Sequence, residues 1–225
     1  MNKLVEIQKI EDMSANIQRA GMLPFFECGI PGHSIAEHTP RHLWFSDTQD
    51  GPWEWKGPAA RRRDCIYGKF YGGKAGYVSL DLAADFLNYR RDGYDFDARY
   101  EDGLAARKDK EVYDILAEHG SLLTGALKRL GNYRKDGNKG FETVITRLQM
   151  QGYVLIADFE YRTGKDGRRS GWGIARYSTP EAIFGEEFIA KAYERTPEES
   201  KQRLLSALKE RLPDLTEQQL LKLIG

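Results

Sequence analysis

The sequence has few cysteines, no long apolar run and no net charge. Two cysteines, Cys28 and Cys65, in 225 residues are too few for a disulfide framework, so we expect reduced thiols. No apolar run approaches the roughly 20 residues of a membrane span, and the first residues lack the apolar core of a signal peptide. With 40% hydrophobic and 30% charged residues, we expect a globular cytoplasmic protein with no membrane partner.

The zero net charge conceals a basic segment. From Ser121 to Arg176 the sequence has 11 lysine and arginine residues against 5 aspartate and glutamate residues, an excess of 6, and the remainder balances it. Duplex affinity depends on the local density of cations that displace condensed counterions, so a neutral protein with such a segment is compatible with DNA binding.

Three helical patterns follow one another from Lys108, each with apolar residues at the spacing of one helix face. The first two end at Gly120 and Gly131, and Gly152 follows the third, which suits glycine as a residue just past a helix end. The apolar faces are formed by Val112, Ile115 and Leu116 in the first helix, Leu123, Leu127 and Leu130 in the second, and Phe141, Val144, Ile145 and Leu148 in the third.

A β-hairpin is predicted after the third helix. Residues 153–161 and 172–177 are rich in β-branched and aromatic side chains, and the segment 163–170 between them has the glycine and aspartate content of a turn. Three short helices followed by a basic-tipped hairpin is the element order of a winged helix, in which the third helix enters the major groove of DNA and the hairpin lies on the backbone.

These patterns predict a surface for double-stranded DNA. Candidate contacts on the third helix and just before it lie away from the apolar face: Arg134, Lys135, Lys139, Thr143, Thr146 and Arg147. Arg147 is suited to guanine or to a phosphate, and the threonines to either more weakly. At the hairpin tip, Lys165, Arg168 and Arg169 suit phosphates. The alternative is a set of solvated charges on a winged helix that binds protein.

A short internal repeat suggests a duplicated unit upstream. Gly76 and Gly120 each lie 12 residues before an asparagine, Asn88 and Asn132, and the two copies are offset by 44 residues. Such a period is typical of a duplicated helical unit.

The remaining segments are less regular. Two alternatives are open for the segment after Gly57. In the first, Gly57-Pro58 opens a helix that runs to about Phe70. In the second, residues 65–71 and 75–80 form a hairpin about Gly72-Gly73. After Pro180 the chain is helical, with capping boxes at Thr196 and Thr216. We predict a mostly helical α+β protein: an N-terminal region 1–97, with a degenerate winged helix at 57–97, a winged helix at 98–178, and a helical tail at 179–225.

The stretch Pro52-Trp53-Glu54-Trp55-Lys56, ahead of tandem winged-helix patterns, resembles the winged-helix DNA glycosylases of the AlkZ and YcaQ type. The similarity covers about residues 52–178. That family is built from tandem winged helices and excises alkylated bases, including those in interstrand crosslinks. The resemblance therefore implies DNA repair, in a chain shorter than the family's other members.

The family's catalysis rests on a Gln-aliphatic-Gln or Gln-aliphatic-Asp motif that orients a water near the sugar carbon. Gln149-Met150-Gln151 is similar in its residues, which implies Gln149 and Gln151 as candidate catalytic residues of a glycosylase. The family's motif lies near the N-terminus, whereas this one closes a predicted recognition helix. Two surface glutamines near DNA are the alternative.

A metal site is the next alternative. Cys28, His33, His38 and His42 are zinc ligands by residue type, but their spacing matches no structural zinc pattern. We therefore expect no metal and no cofactor.

Three tryptophans in the same region, Trp44, Trp53 and Trp55, form either a stacking surface for an unstacked base or the core of a small domain. The sequence does not predict an oligomeric state, a DNA site or a lesion. A pure interaction domain without DNA affinity is the third functional alternative, beside DNA binding and base excision.

Overall fold

The computed structural model describes residues 3–46, 48–163 and 169–225, with the side chains at 162, 163 and 169–172 outside the description. Within these ranges the fold is α+β, as predicted, with two antiparallel three-stranded sheets. No helix in the same ranges is long and apolar enough to cross a bilayer.

The first unit contains a helix, a strand, two further helices and a hairpin. Its elements are α1 (Ile10–Ala20), β1 (Met22–Pro24), α2 (Ile35–His38), a 3₁₀ turn (Arg41–Leu43), α3 (Pro52–Arg61), β2 (Cys65–Tyr71) and β3 (Lys74–Ser79). The strand order is β1-β3-β2, in which Val78 pairs with both Met22 and Ile66. Two helices, α4 (Leu80–Arg91) and α5 (Phe96–Glu101), connect this unit to the next.

The second unit has the same order of elements. They are α6 (Arg107–His119), β4 (Ser121–Leu123), α7 (Thr124–Leu130), α8 (Phe141–Met150), β5 (Leu155–Thr163) and β6 (Arg169–Ser178), with strand order β4-β6-β5. The three predicted helices and the hairpin after Gly152 are thus confirmed. The apolar face of the second helix is corrected, because Leu123 lies in β4 and Leu130 is 44% exposed. The tail is helical, as predicted, with α9 (Pro180–Phe184), α10 (Glu186–Ala190), a 3₁₀ turn (Lys191–Glu194), α11 (Pro197–Arg211) and α12 (Glu217–Ile224).

Two expectations for the N-terminal region are corrected. The hairpin alternative is right and the helix to Phe70 is wrong, because Pro52 opens α3, Pro58 lies inside it, and β2 begins at Cys65. The unit expected at 57–97 also includes upstream residues, since Met22 lies in the same sheet as β2 and β3.

The duplication is present, but its period differs from the predicted 44 residues. The matched segments at Gly76 and Gly120 fall on β3–α4 and β4–α7, whereas the strand orders make β1 the counterpart of β4 and β3 that of β6. The two matched segments are alike in that each contains a strand followed directly by a helix.

The two units pack reciprocally. Helix α3 lies against β5, helix α8 lies against β2, and β2 and β5 contact each other. The third helix of each unit thus covers the second strand of the other. Gly57 permits the close approach of α3, because a Cβ there would lie 2.9 Å from Oδ1 of Asp158 and 3.3 Å from the backbone nitrogen of Phe159.

Arg91, at the end of α4, joins the units to the tail. Its side chain is 1% exposed. It donates hydrogen bonds to the carbonyl of Gly152 (3.2 and 3.0 Å), to Oε1 of Glu181 (2.7 Å) and to the hydroxyl of Tyr193 (2.7 Å). Burial alone would lower the pKa of Arg91, but the charge of Glu181 raises it above its usual range. A buried guanidinium held by four hydrogen bonds and an ion pair fixes the relative placement of these elements.

Helix α11 packs on α4 through a polar cluster. Asn88 donates to Oγ of Ser200 (2.9 Å), and Ser200 donates to Oδ1 of Asp85 (3.1 Å). Arg203 donates to the second oxygen of Asp85 (2.9 Å). The tail is therefore attached to the helix that connects the two units.

Candidate nucleic-acid interface

Helix α8 has the amphipathic division that the sequence predicts. Phe141, Val144, Ile145 and Leu148 are all buried in the core. Opposite them lies a shallow surface concavity of about 580 Å³, lined by Glu142, Thr143, Thr146, Arg147, Met150 and Gln151. The candidate contacts on this helix thus share one surface, on which Thr143 is exposed and Thr146 and Arg147 are half-buried.

Arg147 is held by a neighbouring helix. Its Nε donates to Oδ2 of Asp109 (2.8 Å), and Nη2 donates to Oδ1 of the same carboxylate. Asp109, at the start of α6, is buried, and this hydrogen bonding raises the pKa of Arg147. The fork geometry suits a guanidinium. Arg147 therefore neutralises a buried carboxylate, which leaves it less free for a base than the sequence suggested.

The opposite edge of α8 is covered by the first unit. The backbone nitrogen of Lys69 in β2 donates to Oε1 of Gln149 (3.2 Å), and Nε2 of Gln149 donates to the carbonyl of Ile145 (3.0 Å). Nζ of Lys69 donates to Oγ1 of Thr146 (3.1 Å). Both ends of the Gln149 amide are engaged and the side chain is fully buried. This geometry favours a structural role in joining the units. Gln151 lies at the end of α8, half-buried, on the rim of the concavity.

The loop from residue 131 to 140, between α7 and α8, carries the exposed cations Arg134, Lys135 and Lys139. The loop is closed by its own hydrogen bonds: the backbone nitrogen of Asn138 donates to the carbonyl of Asn132 (2.7 Å), and Lys139 Nζ donates to the carbonyl of Arg134 (2.9 Å). Among the described residues none of the three cations forms a salt bridge. We call Arg134, Lys135 and Lys139 the cationic loop.

Several other arginines of the described chain form ion pairs with acidic side chains. Arg61 contacts Asp158, Arg176 contacts Glu160, and Arg211 contacts Asp81. Counterion release requires cations that are accessible to phosphates, so the cationic loop is better suited to DNA than these pairs.

The predicted hairpin contacts are only partly within the described residues. Lys165 and Arg168 lie outside the described residues. Arg169 is the first residue of β6, where its backbone pairs with Thr163. Their contacts to phosphate stay predictions.

Trp44 and Trp53 lie in one aromatic cluster with Phe25 and Phe26. The rings of Phe26 and Trp44 are stacked at 5.6 Å, and Trp44 meets Trp53 edge-on at 5.6 Å. Trp55 is buried away from solvent in the core. The sequence left open whether the tryptophans form a domain core or a stacking surface for a base. The cluster has features of both, because Phe25 is buried in the core and Phe26 is 40% exposed.

Lys56 is a residue that the sequence analysis missed. It lies on α3 with 6% of its surface exposed. Its Nζ is 4.8 Å from the ring centroid of Trp53 and 4.1 Å from that of Phe159 in β5. Burial lowers the pKa of Lys56 to about 8, and Glu54 opposes that effect. The spacing of Trp53 and Lys56, three residues apart on a helix, is the signal that could have indicated this contact.

The histidines considered for zinc make local hydrogen bonds. Nε2 of His33 lies 2.8 Å from the carbonyl of Met22, and Nε2 of His38 lies 2.9 Å from that of Gly32. Within the described chain, no three histidine, cysteine or acidic side chains are grouped as metal ligands would be.

The fold and the cationic loop define an α+β protein of two repeated units with a candidate surface for a polyanion. The chain matches the family described as AlkZ related over residues 7–225 and belongs to that family. The predicted resemblance is confirmed, over nearly the whole chain, and it indicates a relationship to DNA-repair glycosylases. Neither a curated protein nor a solved structure matches the chain.

Proposed function

We propose that the protein binds double-stranded DNA through the cationic loop and the exposed face of α8, as part of DNA repair. The observation that carries the proposal is the position of Arg134, Lys135 and Lys139, which are exposed, without salt bridges in the described chain, and next to the first turn of α8. Membership of the AlkZ-related family supports a nucleic-acid partner.

We infer that both units are winged helices, the second within residues 98–178. The inference is supported by the order helix, strand, helix, helix and hairpin, with the first strand beside the last. In such units the third helix and the hairpin face DNA. Both third helices pack on the other unit, α3 on β5 and α8 on β2. Because α8 also keeps an exposed concavity, lined by Thr143 and Arg147 among others, we assign the DNA contact to the second unit.

Within the second unit, the cationic loop supplies phosphate contacts and Thr143 faces the groove. Arg147 contacts the duplex while it stays paired with Asp109, because 39% of its side chain remains exposed. Phosphate contacts set the orientation of a protein on the duplex but carry little sequence information. We therefore expect affinity with weak sequence preference, extended by Lys165, Arg168 and Arg169 on the hairpin.

The test replaces the three cations of the loop with glutamine in one variant. The log–log slope of duplex affinity against salt concentration becomes shallower by roughly 0.9 for each phosphate that is no longer neutralised, or about 2.7 for three. Fluorescence anisotropy with a labelled duplex at several salt concentrations measures this slope. The matched control replaces Lys191, Lys209 and Lys222, three exposed lysines of the tail, which removes the same charge elsewhere.

Equal slopes in the two variants would show that the loop does not contact phosphates. No measurable affinity of the unaltered protein for plain, alkylated or crosslinked duplexes would reject DNA binding itself and favour the interaction-domain alternative.

Base excision is the second candidate function, and the family match is the observation that favours it. It predicts release of a modified base from alkylated or crosslinked duplexes. Gln151→Ala tests the implied catalytic pair directly, because Gln149→Ala also removes the link between α8 and β2. Unchanged release by Gln151→Ala would exclude that residue from the chemistry.

A further inference from the structure

The first unit exposes a group of aromatic rings. Phe26 is 40% exposed and Phe45 is 84% exposed, and they are the two phenylalanines among the large apolar side chains that the described chain exposes. Trp44, which precedes Phe45, is half-buried and stacks on the ring of Phe26, with 5.6 Å between the centroids and 29° between the planes. We call Phe26, Trp44 and Phe45 the aromatic patch.

The stacked pair in this patch is held from the core side. Phe25 is 1% exposed, and its ring meets that of Phe26 at 5.1 Å and that of Trp44 at 5.7 Å. The backbone nitrogen of Phe25 donates to the carbonyl of Ala75 in β3 (2.9 Å), and its carbonyl accepts from the nitrogen of Ala36 in α2 (3.0 Å). Because these rings are already ordered, a ligand that stacks on them has little side-chain freedom to remove.

Exposed cations lie beside the aromatic patch. Arg41, on the 3₁₀ turn that ends next to Trp44, is exposed and forms no ion pair among the described residues. Lys74 of β3 is also exposed, and its Nζ donates to the carbonyl of Glu27 (2.7 Å), the residue after Phe26. Glu27 is itself acidic and exposed, and the two cations outnumber it. Aromatic faces beside cations suit nucleotides, because the bases stack on the rings while the phosphates meet the cations.

The turn between β2 and β3 connects the aromatic patch with α8. A Cβ at Gly73 would lie 3.7 Å from Cγ2 of Thr146, which lines the exposed concavity of α8. Lys74, the next residue, reaches the carbonyl of Glu27 beside Phe26. A single turn therefore joins the patch to the surface that we propose for the duplex.

We propose that the aromatic patch stacks on unpaired bases of DNA, next to the duplex that the second unit binds. This inference rests on the proposed function, which brings the DNA to the protein. Inside a duplex each base is stacked between its neighbours, so rings on a protein surface reach only bases that have left the stack or lie beyond its end. Every base has an aromatic face, so this contact does not read the sequence.

The experiment compares a labelled blunt duplex with the same duplex carrying a single-stranded tail, by fluorescence anisotropy. The tail has about ten thymines, within the range of site sizes for surfaces that bind single strands. Tails at the 5′ end and at the 3′ end are both measured. We expect the better of the two tails to tighten binding at least about 5-fold, the smaller end of the effect of stacking one base on one ring.

Phe45→Ala is the informative variant, because this side chain is 84% exposed and its removal leaves the core intact. We expect it to abolish most of the gain from the tail, with unchanged affinity for the blunt duplex. Phe45→Tyr keeps the ring and retains the gain, whereas Phe45→Leu keeps an apolar side chain without a ring and loses it. Leu104→Ala, at a leucine between α5 and α6 that is 50% exposed, is the matched control and changes neither affinity.

A tail that adds no affinity to a bound duplex overturns the proposal, and so does a gain that survives Phe45→Ala. In both cases the proposed duplex binding stands. A gain retained by Phe45→Leu also overturns it, because apolar contact rather than stacking then holds the tail.

If the blunt duplex is not bound, the proposed function fails and the thymine strand alone tests the patch. Binding of that strand that Phe45→Ala weakens supports the stacking, whereas no binding, or binding that the variant retains, overturns it. The competing occupant of the patch is a second copy of this chain. Sedimentation of the protein without DNA tests that alternative: a dimer that Phe45→Ala dissociates makes the patch a protein interface and overturns the proposal.

Discussion

Replacing Lys56 with methionine is expected to stabilise the protein at neutral pH. Methionine has a similar length and packs favourably on aromatic rings, so the packing between Trp53 and Phe159 is largely retained. The change removes a positive charge that is hydrated in the unfolded chain and loses most of its hydration on folding, so it removes a cost of folding.

The magnitude follows from the pKa of Lys56, which burial lowers from 10.5 to about 8. A depression of that size corresponds to about 3 kcal/mol of cost for the charged form. Lys56 is 6% exposed rather than fully enclosed, and the variant lacks the cation–π attraction, so we expect a net gain of about 1–2 kcal/mol at pH 7.

The advantage of the variant depends on pH in a defined window. Below pH 8 the ammonium is charged in both states, and the folded state bears the full desolvation cost. Between pH 8 and about 10.5 the unfolded chain binds more protons than the folded one, so the unaltered protein gains stability as the pH rises. The advantage of Lys56→Met should therefore shrink across this window.

Urea unfolding of both proteins at pH 7 and at about pH 10.5 measures the difference, and other titrating groups cancel in the comparison. Lys135→Met, at an exposed lysine of the cationic loop, controls for the general effect of losing one positive charge. An advantage of Lys56→Met that is equal at the two pH values, or a loss of stability at pH 7, would refute the reasoning.

Three further changes test the packing between the units and the surface beside it. Gly57→Ala should lower the free energy of unfolding by about 1–3 kcal/mol, because α3 cannot approach β5 as closely; urea unfolding checks it. Arg91→Met leaves Glu181 without its buried partner and should cost about 3–5 kcal/mol by the same measurement, partly recovered in a double variant with Glu181→Met. Asp109→Asn loosens Arg147 and should tighten duplex binding several-fold by anisotropy, whereas equal affinity would remove Arg147 from the interface.

The local elements were predictable because their signals are local. The apolar face of α8, from Phe141 to Leu148, follows the helical period and is buried as expected. The run from Cys65 to Tyr71 was ambiguous, since a short apolar segment fits a buried strand and a helix equally well. The hairpin at Gly72-Gly73 resolves it, with Gly68 paired to Gly76 across the strands.

The interactions that modify the candidate site are long-range, and no local pattern indicates them. Arg147 meets Asp109 from 38 residues upstream, and Gln149 bonds Lys69 from 80 residues upstream. The sequence predicted correctly that Arg147 leaves the core face of α8. It did not predict that another helix would hold Arg147 or that a strand of the other unit would bury Gln149.

The reciprocal packing limits the surface that the proposed DNA binding can use. Since α3 covers β5 and α8 covers β2, the third helix of the first unit is occupied, and one edge of α8 is covered at Thr146 and Gln149. Deep insertion of α8 into a major groove would have to displace Lys69 from Thr146 or break the pairing of Arg147. A surface contact through the cationic loop and Thr143 requires neither change, and it is the mode of binding that we propose.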